Sequence, residues 1–136
     1  MRIFEKNNDL GLLIIRLSIG ILMLLHGIAK LSHGVGFIEQ TVVDSGLPSF
    51  IAYGVYVGEI IAPLFIIVGY GTRIASAIFA FNMIVAVTLA HAGDIFSLSQ
   101  TGGWTIELQA LYFFAALALV FTGGGKYSLS TKNSWD

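Results

Sequence analysis

Four long apolar runs alternate with short polar or glycine-rich segments, and their spacing predicts an all-α chain of four membrane-crossing helices. The runs cover about residues 10–31, 48–68, 72–91 and 104–122. At about 1.5 Å per residue, the first is long enough to cross a ~30 Å hydrocarbon core. Asn8 or Asp9 is placed to cap it. The segment Ser32–Pro48 is glycine-rich and polar, with Phe37–Val43 able to form a short amphipathic helix on the membrane surface. The turn at Gly69-Tyr70-Gly71-Thr72 is so short that the second and third helices must be antiparallel neighbours. Gly123-Gly124-Gly125 stops the fourth helix, and a polar tail follows. The expected architecture is a single-domain membrane four-helix bundle with up-down neighbours.

The first run carries a polar stripe. With Arg16 at 0° and about 100° per residue, His26 falls near roughly −80°, Lys30 near roughly −40°, Gly27 near roughly +20° and Gly20 near roughly +40°. The opposite side is Leu and Ile. Such a helix turns its back to lipid and its front to something polar.

Composition sharpens this picture. Charged residues make up 11% of the 136-residue chain, against about 25% in soluble domains. The bilayer is therefore the expected surround. A net charge of −1 argues against a nucleic-acid partner. With no cysteine there is no disulfide framework, thiol redox pair or thiolate metal site, so a CxxC quinone-linked disulfide enzyme is excluded. The apolar run Leu10–Leu25 is longer than most signal-peptide cores and no small-x-small site follows it, so it reads as a retained first span. Arg2, Lys6, Arg73, Lys126 and Lys132 share one side, which places both termini in the cytoplasm of a bacterial-type inner membrane.

On that topology each helix delivers a polar group towards the outer half: His26 with Lys30, Glu59, His91 and Glu107. Glu59 lies roughly 14 Å deep. A charge at the bilayer centre costs ~2.5–3.5 kcal/mol, so Glu59 is expected between Arg16 below and His26 and Lys30 above. Asn82 is about 180° from His91 on its helix and reads as an interhelix hydrogen bond. Trp104, Tyr53 and Tyr56 suit an interfacial belt. Two histidines on different helices, His26 and His91, are a weak haem signal; no metal site is expected, and His33 falls in a solvated loop.

These residues, in this order, resemble the DoxX family of small four-helix membrane proteins. The resemblance is carried by Arg16, His26-Gly27-x-x-Lys30-Leu31, Gly46-Leu47-Pro48, Glu59, Gly69-x-Gly-Thr72-Arg73, His91 and the Gly-x-Gly at 123–125. It implies an inner-membrane protein of a family that carries an oxidoreductase label. Relatives include a subunit of a thiosulfate:quinone oxidoreductase, and more distant ones assist membrane-protein assembly.

The expected function is a quinone-linked oxidoreductase component, with His26, Lys30 and Glu59 as catalytic residues and Arg16, His91 and Glu107 as substrate-binding residues. Quinone is the expected cofactor, with nothing covalently bound. A partner subunit would supply the electrons, and a homo-oligomer is the other partner considered. The alternatives are a non-enzymatic assembly subunit, in which Arg16 and Glu59 only hold the bundle, and a small-molecule transporter, for which four helices are few.

Overall fold

The computed structural model describes residues 5–136; Arg2, part of the charge asymmetry above, lies outside them. Helix α1 spans Asn8–His33, and its cap is Asn7 rather than Asn8 or Asp9. The Asn7 Oδ1 accepts from the Leu10 N–H at 3.0 Å. Asp9 instead accepts from the Lys126 N–H. Helix α2, Gly36–Asp44, is the expected short amphipathic piece, with Val42 buried against Val35 and Ala52.

Helix α3 runs Ser49–Val68 and changes pitch along its length. It opens as a 3₁₀ turn over Ser49–Tyr53 and widens into a π turn over Val57–Ile61, where the Ala62 N–H reaches back to the Val57 carbonyl. Pro63 supplies the physical reason. It has no N–H to give the Glu59 carbonyl, so the normal α-helical bond cannot close there. Gly69 and Gly71, both left-handed at φ 76° and 57°, turn the chain into α4, Thr72–Ala90.

The last helix, α5, is Glu107–Thr122 and starts later than expected. Residues 104–106 are committed elsewhere. Trp104 bridges to Leu98, its indole N–H donates to the Ile95 carbonyl, and the Thr105 N–H donates to Ser97. Helices α1, α3 and α4 are long and apolar enough to cross a membrane; α5 is apolar but shorter. Large apolar side chains such as Leu25, Phe81 and Leu111 cover the outside. Lipid tolerates that surface and water does not.

The helices form a ring of antiparallel neighbours. Gly20 sits against Pro63 and Ile67, whereas Gly27 sits against Glu59 and Ile60, so α1 and α3 run in opposite directions. Arg73 at the start of α4 bonds Val120 at the end of α5, and His26 meets Tyr112, closing the ring. The core along its axis joins Ile19, Met23, Ile66, Phe79, Ala116 and Leu119.

Two arginines and the tail seal one end. Arg16, 1% exposed, donates from Nε to the Ile66 carbonyl at 2.9 Å and from Nη2 to Ile67 at 2.8 Å. Its Nη1 donates to the Gly124 and Tyr127 carbonyls. Arg73 treats α5 similarly, through Val120, and also bonds the Ser134 carbonyl. The tail in turn serves the start of α4: the Trp135 carbonyl accepts from the Arg73 and Ile74 N–H groups, and the Asp136 carboxylate accepts from Gly71. Orphan carbonyls and N–H groups at three helix ends are thus satisfied.

Two expectations follow. At Gly27 an added Cβ would collide with the Glu59 backbone carbonyl, while at Gly11 it would meet nothing. Gly27→Ala should therefore destabilise the detergent-solubilised protein by about 1–3 kcal/mol. Gly11→Ala should be neutral or gain up to about 1 kcal/mol, read by thermal unfolding of the pair. Separately, hydrogen bonds from Ser130, then Asn133 and Gly71, hold the Asp136 carboxyl at about 2, below its ordinary 3.8. A depressed carboxyl contributes stability above its unfolded value that is lost as pH falls through the folded one. Melting temperature should therefore drop between pH ~4 and ~2, and Asp136→Asn should flatten that part of the profile.

Candidate functional site

The end of the bundle opposite Arg16 holds a cavity of about 520 Å³, bordered by side chains of all five helices. Its floor is apolar, with Met23, Val42, Ala52 and Met83 in the walls. Against that background one ion pair stands out. Lys30, in the last turn of α1, bonds Glu59 of α3 at 2.5 Å. Glu59 is 5% exposed, and Lys30 is the more open of the two. The Tyr56 hydroxyl donates to the Lys30 carbonyl, tying the same two helices once more.

Backbone geometry makes the pair possible. Glu59 sits inside the π turn, and Gly27, one turn before Lys30, lets α1 approach the Glu59 carbonyl without a side chain between them. Among the described residues the Glu59 Oε1 takes no protein hydrogen bond; only Oε2 is engaged.

The expected pairing of Arg16 with Glu59 is not what forms. Arg16 spends its donors on carbonyls of α3 and the tail, at the other end of the bundle, and does not border the cavity. A guanidinium carries five donors in a fixed fork, and a ring of helix-end carbonyls matches that fork better than a single distant carboxylate does.

His26, Lys30, Glu59 and His91 all border the one cavity. His26 is exposed and meets Tyr112 edge-on, with ring centroids 6.5 Å apart. His91 stands at the rim, its Nδ1 3.3 Å from the Asp94 carboxylate. Glu107 is apart from them: it is exposed in the first turn of α5, folded against Gly103, and is not in the cavity wall. No group of three or more His, Asp or Glu side chains among the described residues could hold a metal ion.

Asn82 departs from the expected interhelix hydrogen bond. Its amide lies where a Cβ of Gly58 would otherwise stand, and the buried Nδ2 has no hydrogen-bond partner among the described residues. Asn82 and Gln109 border the cavity beside Tyr112, and none of these was singled out as a site residue from the sequence. The signal for the π turn was present as a glutamate four residues before a proline. Asn82 gave none, because helical angle alone does not say which neighbour it meets.

The DoxX family model matches residues 11–92. The chain belongs to the DoxX family. The match spans α1 to the end of α4 and includes Arg16, His26, Lys30, Glu59 and His91, while Tyr112 lies beyond it. The chain is 35% identical over 83 residues to a Bacillus subtilis protein named "Putative oxidoreductase CatD", covering 61% of each chain. It is 30% identical over 141 residues, 97% of each chain, to an uncharacterized protein of Haemophilus influenzae. No solved structure matches it.

The pairing pattern is open to double-mutant cycles on thermal stability. Lys30→Met and Glu59→Gln should couple by about 0.5–3 kcal/mol, as contacting residues do. Arg16→Gln and Glu59→Gln should add to within about 0.5 kcal/mol. Strong Arg16–Glu59 coupling would contradict the arrangement.

Proposed function

We propose that this DoxX protein is a four-span, inner-membrane component of a quinone-linked redox system, with both termini cytoplasmic and the Lys30–Glu59 cavity in the outer half. The carrying observation is a part-buried ion pair, its carboxylate buried, in the wall of a mainly apolar cavity. Ionisable residues inside a membrane bundle are costly to place, and they mark functional sites by default. The oxidoreductase name of the B. subtilis relative supports the same direction. A partner subunit would deliver the electrons, since no dinucleotide or thiol motif is present in the sequence.

The donor set fits a quinone. The orphaned Asn82 Nδ2 and the Lys30 ammonium are donors suited to carbonyl oxygens, and apolar walls suit the ring. A bound quinone supplies two-electron, two-proton chemistry. Lys30 and Asn82 would orient the head, and Glu59 Oε1 would accept or return a proton, with His26 in the same cavity wall as the next titratable group. Tyr112 holds the His26 ring edge-on.

A second reading, an assembly subunit, rests on the loop between α4 and α5. That loop carries Phe96 fully exposed and Leu98 at 72%, both on a hairpin braced by Trp104. There the ion pair would only hold the bundle.

Purified protein should bind a short-tailed ubiquinone or menaquinone analogue saturably. Glu59→Gln and Lys30→Met should each weaken binding about tenfold or more, equivalent to about 1.4 kcal/mol. Absent binding, or binding indifferent to both changes, refutes the redox reading. A partner complex that survives Glu59→Gln but is lost on Phe96→Asp would establish the assembly reading.

A further inference from the structure

The ion-pair cavity has a neighbour along the seam between α3 and α4. This second hollow, about 230 Å³, is walled by Ile61, Ala62, Phe65, Ile74 and Ala75. Val57 and Ile78 stand in the walls of both, so the two meet there. Among the described residues the seam carries no charged side chain, and it ends at Tyr70, Gly71 and Trp135, near the sealed end of the bundle. From Ile78 back to Gly71, the residue that caps α4, is seven positions, so the seam runs for roughly 10 Å along the helix axis. Ile61, Phe65 and Ile74 are exposed on the outer face, so the seam lies open to hydrocarbon. Ala62 and Ala75, both buried, are the small side chains at its base.

We infer that this seam holds the hydrocarbon chain of the molecule whose polar head lies at Lys30–Glu59. The ligand is therefore long-chained and lipid-soluble, and it enters from the bilayer between α3 and α4. The inference rests on the ligand site proposed above and adds the class of molecule it takes. Adjacency to the polar cavity is what distinguishes this seam from an ordinary furrow on a lipid-facing surface: the two hollows adjoin across Val57 and Ile78, close enough for one molecule to reach into both. Lipid is as apolar as the seam, so the chain is held by shape, through close packing against Ile61, Ile74 and Phe65, rather than by escape from water. Tyr70 and Trp135, which border the seam's far end, set how much chain is gripped.

The test compares two quinone analogues with one head group, one bearing a methyl and one a decyl chain, on the full chain in phosphatidylcholine nanodiscs. At equal concentration in the membrane, the decyl compound should bind about tenfold tighter. Ile74→Trp and Ile61→Trp, which obstruct the seam alone, should each erase that preference while changing methyl-analogue affinity by less than about twofold, under 0.5 kcal/mol. Because the chain has no cysteine, Ile74→Cys introduces a unique thiol reporter. The decyl analogue should slow alkylation of that thiol and the methyl analogue should not. Equal affinity of the unsubstituted protein for both analogues overturns the seam and leaves the head site standing. Binding of neither overturns both. A chain-length preference that survives both tryptophans assigns the seam to another occupant and refutes the inference. So does a disulfide-linked dimer of the Ile74→Cys protein whose alkylation ignores the ligand.

Discussion

Lys30 reaches the buried carboxylate of Glu59 because α1 and α3 touch backbone to backbone. The approach is made by two glycines seven residues apart, Gly20 against Pro63 and Ile67, and Gly27 against Glu59 and Ile60. In a membrane, where hydrophobic burial supplies little drive between helices, close approach of this kind is a main source of association. The cavity inherits its position from it. If α1 moved outward by one side chain, the ion pair would part and the polar side of the cavity would open to lipid.

The other end of the bundle solves a different problem with similar residues. Helix termini leave carbonyls unsatisfied. Arg16 and Arg73 supply the donors, and the tail is drawn in as both acceptor and donor. The chain thus separates its cations by chemistry. Guanidinium groups, with forked geometry, hold backbone; the single ammonium in the cavity holds a carboxylate.

Much of the fold was legible. Runs of apolar residues predicted three membrane-length helices and a fourth that forms shorter than expected, and the boundaries of α3 and α4 agree to within a residue or so, with glycines marking the turn between them. The start of α5 was missed because Trp104 looks like the first residue of an apolar run, yet its indole is used to brace the preceding loop. In the site, the stripe on α1 correctly brought His26 and Lys30 to one place with Glu59 and His91. It misassigned Arg16, because angular position along a helix puts charges on one face without saying that 14 residues, roughly 21 Å, separate the two ends. Glu107 was misplaced for a related reason: a first-turn carboxylate can lie on any side of its helix. Tyr112 and Asn82 were invisible as site residues since both look like ordinary bundle packing in a one-dimensional pattern.

The π turn in α3 adds one residue to a single turn, and in a helix that is a change of phase. Everything after Ile61 is rotated by roughly 100° from where an uninterrupted α-helix would carry it. Within the widened turn, Glu59 addresses Lys30 of α1; beyond it, the Ile66 and Ile67 carbonyls address Arg16, also of α1. One straight partner, α1, is therefore served at both ends by a helix that has slipped a register between them. A relative lacking that extra residue would have to surrender one of the two, either the carboxylate at the cavity or the carbonyl seat of the arginine.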